Sequence, residues 1–149
     1  MDRSSLHQQI STLRQSLLDE GILDQRFTQL ENLETKDNPD FVEDIFDLYF
    51  RDSTRYIASI EQSLQQTPVD SFKLDKTLYR LKGSSASVGA IKIKREVNQM
   101  RAYCEEGNLD RAKESFELLK LEHSTFRDKL EPYLEVCSSL FLNMHARNV

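Results

Sequence analysis

Apolar residues recur along most of the chain at the three- and four-residue spacing of a helix stripe, and no segment sustains an alternation of period two. Leu6, Ile10, Leu13 and Leu17 form the first stripe, and Gly21 stands where a helix C-terminus takes a left-handed residue. Leu23, Phe27 and Leu30 begin a short second helix, which must stop before Asn38-Pro39 because the residue before proline avoids helical backbone. Asn38 is expected to cap the third helix, with Pro39 at its first position. Val42, Phe46, Tyr49, Ser53, Tyr56 and Ile60 mark that helix's inner face, and it ends before Pro68.

Asp70 is the expected cap of a fourth helix with the inner stripe Leu74, Leu78, Leu81, Ser85 and Val88. Gly89 separates it from a fifth, with Ile93, Val97, Met100 and Cys104 inward and Gly107 at its close. A last helix starts near Leu109 and turns Ala112, Phe116, Leu119, His123, Phe126, Leu130, Tyr133, Cys137 and Leu140 inward. Pro132 removes one backbone donor from it and is expected to kink it. The predicted fold is all-α and a single domain spanning residues 1–149. N-terminal helices occupy about 4–36, and an antiparallel four-helix bundle occupies about 39–144. The first two helices are expected to pack over one end or side of the bundle.

Composition sharpens this picture in three ways. Four Gly and three Pro in 149 residues suit long helices joined by short turns. No apolar run approaches the roughly 18 residues of a membrane span, and "MDRSSLHQQI" lacks a signal-peptide core, so an intracellular protein without membrane contact is expected. Cys104 and Cys137 have neither CxxC nor metal-ligand spacing and read as reduced core thiols. Charge adds an asymmetry. Between Ser71 and Arg101 there are eight basic residues against Asp75 and Glu96, in a chain whose net charge is −5. Such a patch suits an anionic partner surface, with a solvated helix face as the plainer alternative. Nucleic acid is disfavoured, since the remaining chain repels phosphates and no aromatic stacking platform accompanies the patch.

The run "TLYRLKGSSASVG", Thr77 to Gly89, interrupts a good helix pattern with Gly83 and serines. On a helical wheel, positions 75, 76, 79, 82, 83 and 86 fall opposite the Leu74–Leu78–Leu81 stripe. Tyr79 therefore faces outward, with Lys82 and Gly83 one turn further along. Glycine in a helix interior costs roughly 1 kcal/mol relative to alanine. A flat spot beside Lys82 would suit a partner that brings a carboxylate or phosphate close. The competing reading is that Gly83 lets another helix of the same chain approach.

These residues also carry a resemblance. "LKGSSASVGA" resembles the motif of plant histidine-containing phosphotransfer proteins, His-Gln-Leu/Phe-Lys-Gly-Ser-Ser. "EGILD", "NPDFVEDIFDLYF" and "YCEEGNL" are similar to that family as well, so the likeness covers about Leu17 to Leu140. Leu81, Lys82, Gly83, Ser84 and Ser85 match position by position. Two positions depart: the family's phosphate-accepting histidine falls on Tyr79, and the glutamine after it on Arg80. A relay acceptor needs a nucleophile at neutral pH and a product that passes its phosphoryl group on. Roughly three quarters of ordinary imidazoles are neutral at pH 7, whereas about one phenol in a thousand is ionised. A tyrosyl phosphate is moreover an ordinary ester, far less ready to transfer than a phosphoramidate. Relay through Tyr79 is therefore rejected. His7 lies on the first helix, His145 in the tail, and His123 on a core stripe where a satisfied, partly buried imidazole is expected.

The resemblance thus implies a pseudo-phosphotransfer protein with no catalytic residue, no enzyme activity, no cofactor and no metal. It would bind receiver domains of hybrid histidine kinases and response regulators and dampen a cytokinin-type phosphorelay as an inactive competitor. Its docking surface would centre on Lys76, Tyr79, Arg80, Lys82, Gly83 and Ala86. By the same analogy Lys82 would lie near the partner's phosphorylatable aspartate, and Arg80 would add attraction to that acidic pocket. Leu23, Phe27, Val42 and Phe46 are expected around it, each with plain core packing as the competing reading. A helical adaptor with unrelated partners and a relay protein using another acceptor remain the alternatives. A monomer of cytoplasm and nucleus is expected.

Overall fold

The computed structural model describes the backbone of residues 2–35 and 37–147, with side chains up to residue 143. The described residues form six helices: α1 (Arg3–Asp19), α2 (Gln25–Asn32), α3 (Phe41–Gln65), α4 (Ser71–Val88), α5 (Ile91–Glu105) and α6 (Leu109–Arg147). Helices α3 to α6 follow one another around a four-helix bundle, α1 lies along α6, and α2 packs on α4 and α3. The end signals explain the boundaries. Asp2, Asp24 and Asp70 each accept a hydrogen bond from a first-turn amide, at 2.7, 2.9 and 3.1 Å. Gly21, Gly89 and Gly107 take positive φ just past helix ends.

Asn38 and Pro39 do not cap α3. They lie in a turn closed by the Asn38 amide on the Thr35 carbonyl at 3.1 Å, and the helix starts two residues later, at Phe41. Asp40 holds the cap position without a side-chain bond, and Glu34 supplies the acceptor instead, taking the Val42 amide at 3.2 Å. Local sequence pointed to the wrong carboxamide because the acceptor arrives from eight residues upstream. Helix α6 runs unbroken through Pro132.

The core is the union of the stripes, with an aromatic cluster where α2, α3 and α6 meet. Phe27 lies 5.9 Å from Phe46 and edge-on to Tyr133 at 5.3 Å, while Tyr49 meets Phe126 edge-on at 5.8 Å. Leu23, Phe27, Val42 and Phe46 are at most 2% exposed, so they line no docking surface. The expectation that they surround Tyr79 is corrected: a short helix beside a bundle can leave its stripe open, but here Phe27 sits against Phe46 of α3 and Tyr133 of α6, and Leu23 is buried in the same core. Full burial of such side chains contributes roughly 1.5–3 kcal/mol each.

Two pairs of buried polar groups join α3 to its neighbours, while the Ser63 and Ser115 hydroxyls are buried without a partner among the described residues. Tyr49 and Ser85 hydroxyls meet at 2.9 Å, joining α3 to α4. Ser53 Oγ and His123 Nε2 meet at 2.8 Å, joining α3 to α6. Burial, helped by the Arg127 cation, pushes the His123 pKa down to about 4. The unfolded chain takes up that proton near the ordinary 6.5. Folding stability from neutral His123 is therefore complete above about pH 6.5 and lost as pH falls towards 4, by an amount of the order of 3 kcal/mol. Chemical denaturation of wild type and His123→Gln across pH 4–7 should show the wild type losing stability faster with acid. Parallel curves would place the imidazole in water.

Candidate functional site

Because α4 buries Leu74, Leu78, Leu81, Ser85 and Val88, its opposite face is left to solvent. Tyr79 is 62% exposed, Lys76, Arg80 and Gly83 are exposed, and Lys82 and Ala86 are half-buried at the edge. The six α4 residues named as the expected docking surface, five from spacing and Arg80 from the resemblance, therefore lie on one open stretch of helix. Phe72, seven residues before Tyr79, joins them and is 80% exposed. It escaped the sequence reading because a phenylalanine in the first turn of an amphipathic helix looks like core. Leu48, 51% exposed, is another addition. The other flank of α3, with Thr54 and Glu61, bonds Arg127 and Lys120 of α6. Leu48 therefore lies on the flank towards α4.

Gly83 decides between the two readings of the motif. A Cβ built there meets nothing within 4 Å, so no helix of this chain needs the glycine for close approach. Gly89 is the contrast: its φ is +83°, and a Cβ would fall 2.8 Å from Asp24 Oδ1 and 3.0 Å from the Phe27 amide nitrogen. One glycine is required by internal packing and the other is not. The serines also divide. Ser85 is the buried partner of Tyr49, whereas Ser84 and Ser87 donate back to the Leu81 and Ser84 carbonyls at 3.3 and 2.8 Å.

Electrostatically the face is basic and open. Lys76, Arg80 and Lys82 have no ion pair among the described residues, while Arg101 of α5 is tied to Asp75 at 2.9 Å. The Arg101 guanidinium carbon lies 5.4 Å from the centroid of the Tyr79 ring. Hollows of about 610 and 520 Å³ lie elsewhere, one beside Pro68 and Phe116 and the other between α1, α2 and α6. A flat, basic, partly aromatic face suits a macromolecule better than a small ligand.

The histidines stand apart from it. His7 is exposed on α1, His123 is buried against Ser53, and the side chain of His145 lies outside the described residues. Cys104 and Cys137 are unpaired and half-buried, and burial pushes the Cys137 thiol up to about 12. No group of His, Cys, Asp and Glu able to hold a metal ion occurs among the described residues, and no described helix is long and apolar enough to cross a membrane.

Comparison with known proteins places this architecture. The Hpt domain profile matches residues 44–129. A pseudo histidine-containing phosphotransfer protein 2 of Oryza sativa subsp. japonica is 38% identical, over 91% of this chain and 90% of its own length. Histidine-containing phosphotransfer protein 4 of Arabidopsis thaliana is 45% identical over 78% of this chain and 91% of its own. Crystal structures of histidine-containing phosphotransfer proteins superpose closely. The Medicago truncatula protein gives a TM-score of 0.84 at 29% identity, covering 92% of this chain and 93% of that one. The maize protein gives 0.82 at 32% identity, covering 91% and 99%.

Since Gly83 has open space around it, Gly83→Ala should raise stability by about 0.5–1 kcal/mol in urea unfolding. A destabilised Ala variant would reveal a close approach and remove the distinction drawn between Gly83 and Gly89.

Proposed function

The chain belongs to the Hpt-domain family of plant histidine-containing phosphotransfer proteins, and from that premise we propose that it is a pseudo-phosphotransfer protein. It docks on receiver domains of hybrid histidine kinases and response regulators without carrying phosphate, and so acts as a competitive negative regulator of cytokinin-type phosphorelay signalling. The observation that carries the proposal is Tyr79 standing exposed at the centre of the basic α4 face, beside a glycine that internal packing does not require.

In this reading position 79 corresponds to the family's acceptor histidine and Arg80 to the glutamine after it. The neighbouring Lys82 would lie near the partner's phosphorylatable aspartate. A phenol neither attacks an aspartyl phosphate at neutral pH as readily as an imidazole nor returns the phosphoryl group once esterified, for the reasons of ionisation and leaving ability already given. The two histidines with described side chains offer no substitute: His123 is enclosed with Ser53, and His7 stands on α1, away from the basic face. Inhibition then follows from mass action, because a receiver occupied by this chain is unavailable to a phosphate-carrying relative. Such a competitor would work wherever the relay proteins do, in cytoplasm and nucleus, as a monomer.

Incubation with a phosphorylated receiver domain should leave no acid-labile phosphate on the wild type, and Tyr79→His should gain it. Appreciable transfer to the wild type would establish a relay through another acceptor. Gly83→Glu should keep the helical circular dichroism spectrum and weaken receiver binding at least about tenfold, through bulk and like charge against an acidic pocket. Undiminished affinity, or no affinity in the wild type, would leave a helical adaptor with unrelated partners.

A further inference from the structure

Tyr79 is exposed, yet its ring is not free. The Arg101 guanidinium lies over it, 5.4 Å from the ring centroid. The same guanidinium is anchored along its edge: Nε donates to one oxygen of Asp75 at 2.9 Å and Nη2 to the other at 3.4 Å. Asp75 and Tyr79 are one turn apart on α4, and Arg101 comes from α5. Carboxylate, guanidinium and ring therefore form a three-part cluster that bridges two helices. The Arg101 side chain is 28% exposed, so the cluster is partly screened from solvent. The phenol hydroxyl has no hydrogen-bond partner among the described residues and remains available to something outside the chain.

The cations on this face consequently do different work. Lys76, Arg80 and Lys82 carry no ion pair among the described residues, so their charge is available for long-range attraction. Arg101 is largely neutralised by Asp75, and what it offers is a plane held at fixed geometry. Guanidinium–ring contact at a partly exposed site is a modest interaction, but it restricts the ring before any partner arrives, and a side chain already ordered loses less entropy on association.

We propose that Arg101 is a positioning residue that makes Tyr79 a pre-oriented docking anchor, its phenol hydroxyl donating to a carboxylate in the acidic pocket of a receiver domain. The inference rests on the docking reading above and deepens it: Tyr79 contributes to binding and is more than the absence of an acceptor. Asp75 contributes through Arg101, whose guanidinium it holds.

A calorimetric double-mutant cycle on the full chain, titrated with a purified receiver domain of a plant hybrid histidine kinase, tests this. Arg101→Ala should weaken binding about three- to tenfold in the wild-type background, the range expected for one side chain losing its preorganisation. In a Tyr79→Ala background the same substitution should change affinity less than about twofold, because nothing remains to be positioned. Arg101→Lys keeps the charge without the planar fork and should stay near the alanine value. Tyr79→Phe should also weaken binding through the lost hydroxyl. Equal losses from Arg101→Ala in both backgrounds would mean that Arg101 meets the partner directly, and no loss in either would leave it idle; both results overturn the proposal. An independent readout is the ring-current shift of the Arg101 Nε proton in the free protein, expected in wild type and abolished by Tyr79→Ala. Its absence would sink the anchor even where receiver binding is intact, whereas a shifted proton in a chain that binds no receiver would sink the docking reading itself.

Discussion

The rotational phase of α4 governs the rest of the molecule. Six inward positions, Leu74, Thr77, Leu78, Leu81, Ser85 and Val88, can all be buried at only one angle of the helix about its axis. The Tyr49–Ser85 hydrogen bond adds a directional constraint that leucines cannot supply, since a rotation by one residue would leave two buried hydroxyls unpaired. Gly89 then fixes the far end. Its carbonyl accepts the Asp24 amide at 3.0 Å, and the Arg26 side chain reaches the Ser87 carbonyl at 3.2 Å, so the start of α2 is fastened to the end of α4. With phase and end both set, Tyr79 and Gly83 have no option but to face outward.

The N-terminal helices are held by a different device. Glu31 of α2 receives Arg14 of α1 at 2.6 and 2.8 Å and the Tyr133 hydroxyl of α6 at 2.6 Å. One carboxylate thus joins three helices, and because its side chain is only 13% exposed the charge-assisted bonds are little screened. Removing either donor would leave a charge with too few partners, which is why such junctions are costlier to break than exposed ion pairs such as Arg55–Asp52. The arrangement also accounts for Phe27: α2 is drawn against α6, and its aromatic ring is driven between Phe46 and Tyr133.

Helix order, the stripes and the outward face of α4 were legible in the sequence because each is written in local periodicity, and periodicity survives without knowledge of the partner helix. Three features were not legible. The cap of α3 came from Glu34, not Asn38, because capping is a through-space contact that a turn can supply from upstream. Leu23 and Phe27 were expected around the docking surface, with core packing as the competing reading. Short-helix burial depends on where α2 docks, and that is decided by Arg14 and Tyr133, the partners of Glu31, and by Gly89, all outside α2. Phe72 and Arg101 were overlooked for related reasons: an apolar residue at a helix start is ambiguous between core and surface, and an arginine on α5 cannot be assigned to a tyrosine on α4 until the two helices are placed side by side. The resemblance to the phosphotransfer family, carried by "LKGSS", located the face but could not reveal what held its central ring.

A solvated helix face and a docking face differ in what the free protein gives up. A helix selected only for stability would place alanine at an exposed interior position with open space beyond it, and would alternate charges along the face. Around Tyr79 the opposite holds: Gly83 forgoes helix propensity without any internal contact in return, and Lys76, Arg80 and Lys82 stand within six residues of one another without anionic partners among the described residues. Each of these is a small cost in isolation, and each would be recovered by a flat, acidic surface placed against the helix. Elsewhere the same chain pairs Arg14 with Glu31 and His123 with Ser53. An uncontacted glycine beside an exposed aromatic ring and three cations unpaired among the described residues is the pattern a docking face on α4 would show, and it supports the proposed reading of that face.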